Sequence, residues 1–89
     1  MKIGQIVISC AGRDKESFLV VVGYEKDKFL VADGKHRPLE RPKLKNKKHL
    51  KKTGVCLNQN EYRTNKAIKA SMYRIRQEKM NSERGHSNV

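Results

Sequence analysis

The chain has 89 residues, of which 34% are charged and 36% are apolar, and its formal net charge is +12. This length holds one small domain with a compact core. The apolar run at residues 18–22 is far shorter than the roughly 18 residues of a membrane span, and residues 1–12 are too weakly apolar for a secretory signal, so a cytoplasmic protein without membrane contact is expected.

The first third of the chain predicts short antiparallel strands. Residues 2–9 and 18–24 are rich in Val or Ile, and residues 29–32 continue this pattern after a polar turn. Such runs between turn residues are typical of strands. The Asp-Gly dipeptide at residues 33–34 favours a tight turn with positive φ, so a short fourth strand is expected to begin near Lys35. Short strands without helices between them predict a small antiparallel barrel.

Residues 35–52 concentrate the positive charge of the chain. They contain nine Lys or Arg and one acid, Glu40, whereas residues 1–34 contain five residues of each sign. Pro38 and Pro42 disfavour a regular helix or a central strand, so an extended basic arm is expected. Because a solvated surface normally mixes both signs, this excess of cations indicates a polyanionic partner, and nucleic acid is the first candidate.

The following residues are expected to complete the barrel. Residues 49–51 and 55–57 each suggest a short closing strand, and Thr53 and Gly54 lie between them as a turn. The barrel with its basic arm would therefore occupy residues 1–57.

A helix is predicted over residues 58–80. Ile68, Met72 and Ile75 form one narrow apolar stripe at helical spacing, and Asn60 or Thr64 could cap the N-terminus. The helix should dock on the barrel by this stripe and leave its cationic faces in solvent. Residues 81–89 are expected to form a flexible tail.

Two stretches of sequence resemble a known family. The sequence IGQIVISCAGRDKESFLVVV, at residues 3–22, places a glycine loop between two apolar strands. It resembles the KOW motif of the small SH3-like barrels in ribosomal proteins and transcription elongation factors. The continuation VADGKHRPLERPKLKNKKHL, at residues 31–50, is similar to bacterial KOW proteins that themselves resemble large-subunit ribosomal proteins of archaea and eukaryotes. Glu16 and Leu19 stand where the KOW pattern often has glycine.

The resemblance implies that the glycine loop lies against an RNA backbone, with Gly12, Arg13 and Lys15 at the contact. Glycine suits this position because it adopts positive φ and permits close approach. With the basic arm, this predicts a protein that binds structured RNA, expected to be ribosomal RNA of the large subunit, by shape and phosphate placement. The predicted nucleic-acid-binding residues are Gly12, Arg13, Lys15, Lys35, His36, Arg37, Arg41, Lys43, Lys45, Lys47, Lys48, His49, Lys51 and Lys52.

Two other functions are compatible with these residues. A protein-interaction module of the transcription or translation machinery would contact its partner through the barrel or the C-terminal helix. A DNA-binding architectural protein would use the same cations on a duplex. An enzyme is not expected, because no catalytic constellation or glycine-rich phosphate loop is present.

No cofactor or metal is expected either. Cys10 and Cys56 lack the spacing of metal ligands, and both are expected to be small buried residues in a reducing compartment.

The aromatic side chains fall into two groups. Residues 18–24 and 29–32 are predicted to form a hairpin. Phe18, Tyr24 and Phe29 border this hairpin and are expected to pack in the core. Tyr62 and Tyr73 project from the predicted helix away from its apolar stripe. They could cover the barrel or stack on RNA bases, and the sequence leaves both roles open.

Overall fold

A five-stranded antiparallel sheet forms the body of the protein. The computed structural model describes residues 1–87, with side chains described to residue 78. The sheet order is β4-β3-β2-β1-β5, and a C-terminal helix follows the sheet, so the predicted fold class, a small mainly β barrel with a C-terminal helix, is confirmed. The strands are β1 (Gln5–Ser9), β2 (Phe18–Glu25), β3 (Lys28–Ala32), β4 (Lys43–Asn46) and β5 (Leu50–Cys56), with a 3₁₀ turn over Lys47–His49.

Residues 18–22 of β2 are apolar without interruption because both faces of this part of the strand are covered. Successive side chains of a strand point to opposite faces. Val20 packs on one face with Ile6 and with apolar residues of the C-terminal helix. Leu19 and Val21 pack on the other face, in a cluster that extends to Leu50 of β5. The sheet therefore separates two apolar layers, and only one of them is covered by the helix.

The helical region docks through the predicted apolar stripe. It consists of α1 (Gln59–Tyr62) and α2 (Asn65–Ser87). In α2, Ile68, Met72 and Ile75 are at most 7% exposed and pack on the face of the sheet that carries Ile6. Burying an apolar side chain of this size contributes about 1.5–3 kcal/mol relative to leaving it in water. The stripe is therefore the main attachment of α2 to the sheet.

The helix boundaries differ from those predicted. The chain forms two helices, because Asn58 caps α1 through reciprocal hydrogen bonds with Glu61, while the Thr64 hydroxyl accepts a backbone N–H in the first turn of α2. Asn60, the other predicted cap, lies inside α1. Helix α2 continues to Ser87 instead of ending at residue 80. Residues 88 and 89 of the predicted tail lie outside the described residues, and the flexibility of the tail stays a prediction.

The basic segment at residues 35–52 is not the extended loop that was predicted. Residues 43–46 form β4, in which Leu44 pairs with Leu30 of β3, and residues 50–52 begin β5. Lysine has a low strand propensity, which pairing with a partner strand overrides. Pro42 is compatible with β4 because it precedes the first residue of the strand.

Strand β5 runs through Thr53 and Gly54, where the sequence predicted a turn. A shift in the β1–β5 register lies beside Gln5. The Gln5 side-chain amide donates to the carbonyl oxygens of Thr53 and Val55, at 2.7 and 3.3 Å, and the Thr53 hydroxyl donates to the carbonyl oxygen of Ile6 at 2.7 Å. These bonds satisfy backbone groups at the irregularity, so one continuous strand replaces the two that were predicted.

The turn after β3 connects the sheet to α2. Gly34 has φ of +81°, as the Asp-Gly dipeptide predicted. No strand begins at Lys35, because the Asp33 carboxylate accepts the backbone N–H groups of Lys35 and Arg37, both at 2.8 Å, and closes the turn. Gly34 is buried against α2, where an added Cβ would stand 2.6 Å from the carbonyl oxygen of Asn65.

We expect Gly34→Ala to lower the free energy of unfolding by about 1–3 kcal/mol, because alanine is strained at positive φ and its methyl group would collide with the backbone of α2. Gly54→Ala is the matched control, since nothing lies within 4 Å of a Cβ at that position, and it should change stability by less than about 0.5 kcal/mol. Urea unfolding followed by circular dichroism measures both. Wild-type stability of Gly34→Ala would contradict this role of the turn.

Candidate nucleic-acid interface

The loop at residues 10–17 connects β1 to β2 and carries the KOW-like sequence. Gly12 and Glu16 have positive φ, of +84° and +72°. The Glu16 backbone N–H donates to the carbonyl oxygen of Ser9 at 2.7 Å and closes the loop. The left-handed backbone of Glu16 is one that glycine adopts without strain. Arg13 and Lys15 are exposed on this loop.

Lys45 of β4 holds the loop from inside the fold. It is 6% exposed, and its ammonium group donates to the Ser9 hydroxyl at 2.7 Å, the Ala11 carbonyl oxygen at 2.9 Å and the Asp14 carboxylate at 2.8 Å. Three acceptors match the three donors of an ammonium group, which offsets the cost of burying its charge. Lys45 is thus a structural residue of the loop and not the surface contact that the sequence predicted.

Asp14 is the charged partner of Lys45. Its Oδ1 also accepts the Ser9 hydroxyl at 2.9 Å. Burial disfavours the ionised carboxyl, but the hydrogen bonds from Lys45 and Ser9 and the Lys45 charge outweigh burial and lower the pKa of Asp14 below its ordinary value of 3.8. The carboxylate is therefore ionised at neutral pH, and its charge is neutralised inside the fold.

A groove of about 470 Å³ lies on the β4 side of the loop. We call it the sheet groove. Gly12 lies where this groove meets the loop. Lys28 lines the groove because β3 pairs Lys28 with Asn46 of β4. Lys43, Lys48 and His49, all predicted contacts, also line this groove.

A second groove, of about 480 Å³, lies between the loop and the turn after β3. We call it the turn groove. It is lined by Arg13, His36 and Arg37 together with Asp14, Ser17 and Asp33. A third groove, of about 280 Å³, extends from the same turn onto α2. We call it the helix groove. His36 and Asp33 line both, so the two grooves are adjacent. The helix groove is also lined by Lys35, Lys69, Met72, Tyr73 and Arg76.

The acids beside these grooves are engaged within the fold. Asp14 pairs with Lys45, Asp33 accepts two backbone N–H groups, and Glu40 accepts the side-chain amide of Asn65 at 2.8 and 3.0 Å. Among the side chains described to residue 78, the ion pairs are Lys45–Asp14 and Arg74–Glu61. The cations of the turn and helix grooves therefore have no carboxylate partner within that part of the chain, and their charge faces solvent.

The predicted residues separate into groups that the sequence did not distinguish. The loop and the turn bring Arg13, His36 and Arg37 together in the turn groove, although more than twenty residues separate Arg13 from the other two in the chain. Lys51 and Lys52 are consecutive in β5 and so point to opposite faces, which prevents them from sharing one contact surface. The predicted residues that line none of these three grooves are Lys15, Arg41, Lys47, Lys51 and Lys52.

Three cations and one tyrosine that line these grooves were missing from the predicted set. Lys28 carries no sequence signal, because only the β3–β4 register brings it to the sheet groove. Lys69, Tyr73 and Arg76 do carry one, since their spacing of i, i+4 and i+7 places them on one helical face. That face lies next to the buried stripe and meets the turn after β3.

Both cysteines are exposed and unpaired, so the prediction that they are buried was wrong. No group of three or more potential metal-binding side chains occurs among the described residues. None of the helices in the described part of the chain has the length and apolar character needed to cross a membrane. Comparison of the chain with protein-family models and with curated proteins finds no match.

We expect Lys45→Met to lower the free energy of unfolding by about 3 kcal/mol, because it leaves the Asp14 carboxylate buried without its counter-charge. Lys48→Met removes the same charge from an exposed residue of the same groove and should change stability by less than about 0.5 kcal/mol. Adding Asp14→Asn to Lys45→Met should recover part of the loss. Urea unfolding compares the three variants, and equal stability of the two single variants would refute the anchoring role.

Proposed function

We propose that this protein binds structured RNA, with ribosomal RNA of the large subunit as its target. The observation that carries the proposal is the position of the KOW-like loop. Lys45 holds this loop between the sheet groove and the turn groove and neutralises the charge of Asp14 within the fold.

Phosphate recognition follows from the side chains of the two grooves. Arg13 and Arg37 present guanidinium groups, which can bind a phosphate through two parallel hydrogen bonds. Lys43 and Lys48 act as point charges on the other side of the loop. Gly12 lies between the two sets and is exposed, so a backbone can approach closely there. A rigid arrangement of this kind selects phosphate placement and shape more than base sequence.

The preference for RNA over DNA comes from the resemblance of residues 3–22 and 31–50 to KOW proteins. The arrangement of charges alone would suit either nucleic acid, because both present closely spaced phosphates. A direct comparison of the two ligands at the same salt concentration therefore belongs to any test of this function.

Replacing Arg13, Lys35 and Arg37 together by Gln should weaken binding to purified large-subunit ribosomal RNA. Each lost phosphate contact reduces the slope of log K against log salt by about 1, so we expect the slope to become shallower by about 3. The control replaces Lys51, Lys52 and Lys66 by Gln, which removes the same charge from exposed positions that line none of the three grooves, and its slope should change by less than about 1.

Filter binding or fluorescence anisotropy over a salt series measures both variants, with duplex DNA as a second ligand. Equal slopes for the two triple variants would show that the grooves are not the contact surface. Tighter binding to DNA than to RNA at matched salt would refute the choice of RNA.

In a cell lysate, we expect the protein to sediment with the large ribosomal subunit and to leave that fraction after ribonuclease treatment. A sucrose gradient probed for this protein at low and high salt measures the distribution. Retention at high salt would indicate an integral component, whereas release at moderate salt would indicate an associated factor. Residence in the light fractions under every condition would refute the ribosomal target.

A further inference from the structure

Tyr73 is the most exposed of the large hydrophobic side chains that the structure describes, with 65% of its surface accessible. It lies on α2 beside the buried stripe and forms part of the wall of the helix groove. Within the described side chains, no hydrogen bond joins the Tyr73 hydroxyl and no ring or cation stacks on it. A single exposed apolar side chain is common on protein surfaces, so the meaning of Tyr73 depends on the side chains around it.

The other tyrosines are engaged in the fold. Tyr24 is half exposed, but its ring meets Phe29 edge-on at a centroid distance of 5.3 Å, and its hydroxyl donates to the carbonyl oxygen of Met1 at 3.1 Å. Tyr62 packs against the apolar layer beneath α2. Tyr73 is thus the tyrosine whose ring is available to a ligand.

The cations around Tyr73 are placed to bind a phosphate on each side of a planar group that stacks on its ring. Lys69 and Arg76 lie one turn before and about one turn after Tyr73 on the same helical face. Lys35 and His36 face them from the turn after β3. The nearest acid in the groove is Asp33, whose Oδ1 is occupied by two backbone N–H groups.

We propose that the helix groove is a subsite for one unpaired nucleotide, whose base stacks on Tyr73 while its flanking phosphates contact Lys69 and Arg76. The inference rests on the proposed function and specifies it further: the RNA target carries a bulged or looped-out nucleotide next to the stretch that contacts the loop at residues 10–17. A base stacked on an aromatic side chain is the usual way in which proteins bind unpaired RNA.

Size and position support a single nucleotide. The groove measures about 280 Å³, close to the lower end of the range of about 300–1,000 Å³ for small-molecule clefts, so it has room for one base and not for several. It adjoins the turn groove at His36 and Asp33, so an RNA strand bound at Arg13 and Arg37 has its neighbouring nucleotide within reach of the helix groove. An acidic peptide could use the cations of this groove, but it would leave the tyrosine ring without a planar partner.

The test uses the full chain and two hairpin RNAs of equal length, one fully paired and one with a single bulged 2-aminopurine. Tyr73→Phe keeps the ring, Tyr73→Leu keeps the apolar bulk without the ring, and Tyr73→Ala removes both. Because Tyr73 is exposed, all three variants should keep the wild-type unfolding midpoint, which urea unfolding verifies first. Titrations then give the affinity for each RNA and the quenching of 2-aminopurine fluorescence.

We expect the wild type and Tyr73→Phe to bind the bulged RNA about 5- to 150-fold more tightly than the paired one, the range that corresponds to stacking of one base, and to quench the bulged base. Tyr73→Leu and Tyr73→Ala should bind both RNAs with equal affinity. Equal binding of both RNAs by the wild type, or unchanged quenching in Tyr73→Ala, would overturn the subsite and leave the proposed function intact. Failure of the wild type to bind either RNA would overturn both.

Discussion

The hydrogen bonds of the buried Lys45 ammonium group connect strands that are not neighbours in the sheet. Two strands, β3 and β2, lie between β4 and β1 in the sheet, yet the Lys45 amine reaches Ser9 at the end of β1 and Ala11 and Asp14 in the following loop. One side chain therefore draws the edge of the sheet towards the loop and fixes the loop at the same time. A buried charge is tolerated here because each of its donors has an acceptor and one acceptor carries the opposite charge.

The second constraint is the contact between the turn after β3 and the start of α2. Gly34 has no side chain, and the Asn65 carbonyl oxygen lies only 2.6 Å from the position that a Cβ would occupy. The Asn65 side chain accepts the backbone N–H of Leu39 at 2.8 Å and donates to Glu40. These contacts and the apolar stripe determine which side of α2 faces the turn. The helix groove exists because this orientation brings Tyr73 and its neighbouring cations beside His36.

The fold engages two of its acids in internal contacts. The first 34 residues contain as many acidic as basic residues, so that part of the chain has no net charge of its own. Within it, Asp14 pairs with Lys45, and Asp33 accepts two backbone N–H groups. Arg13 therefore lines the turn groove without a carboxylate partner among the described side chains, although it stands beside an acid in sequence. The distribution of free charge is thus a property of the folded chain, and net charge by segment describes it incompletely.

The sequence by itself determined the β-rich class, the β2–β3 hairpin and the turn at Gly34. It also determined the positive φ of Gly12 and the docking stripe of α2. Each of these features depends on local propensity or on a short periodic pattern. It also indicated a polyanion as the partner through the excess of cations. Only the tertiary structure decided that β4 lies within the basic segment, that Lys45 is buried, and that Lys28 and Tyr73 line grooves. These features arise from strand register and from contacts between residues far apart in the chain. Pairing with a neighbouring strand overrides the low strand propensity of lysine, and a local sequence pattern contains no information about that pairing.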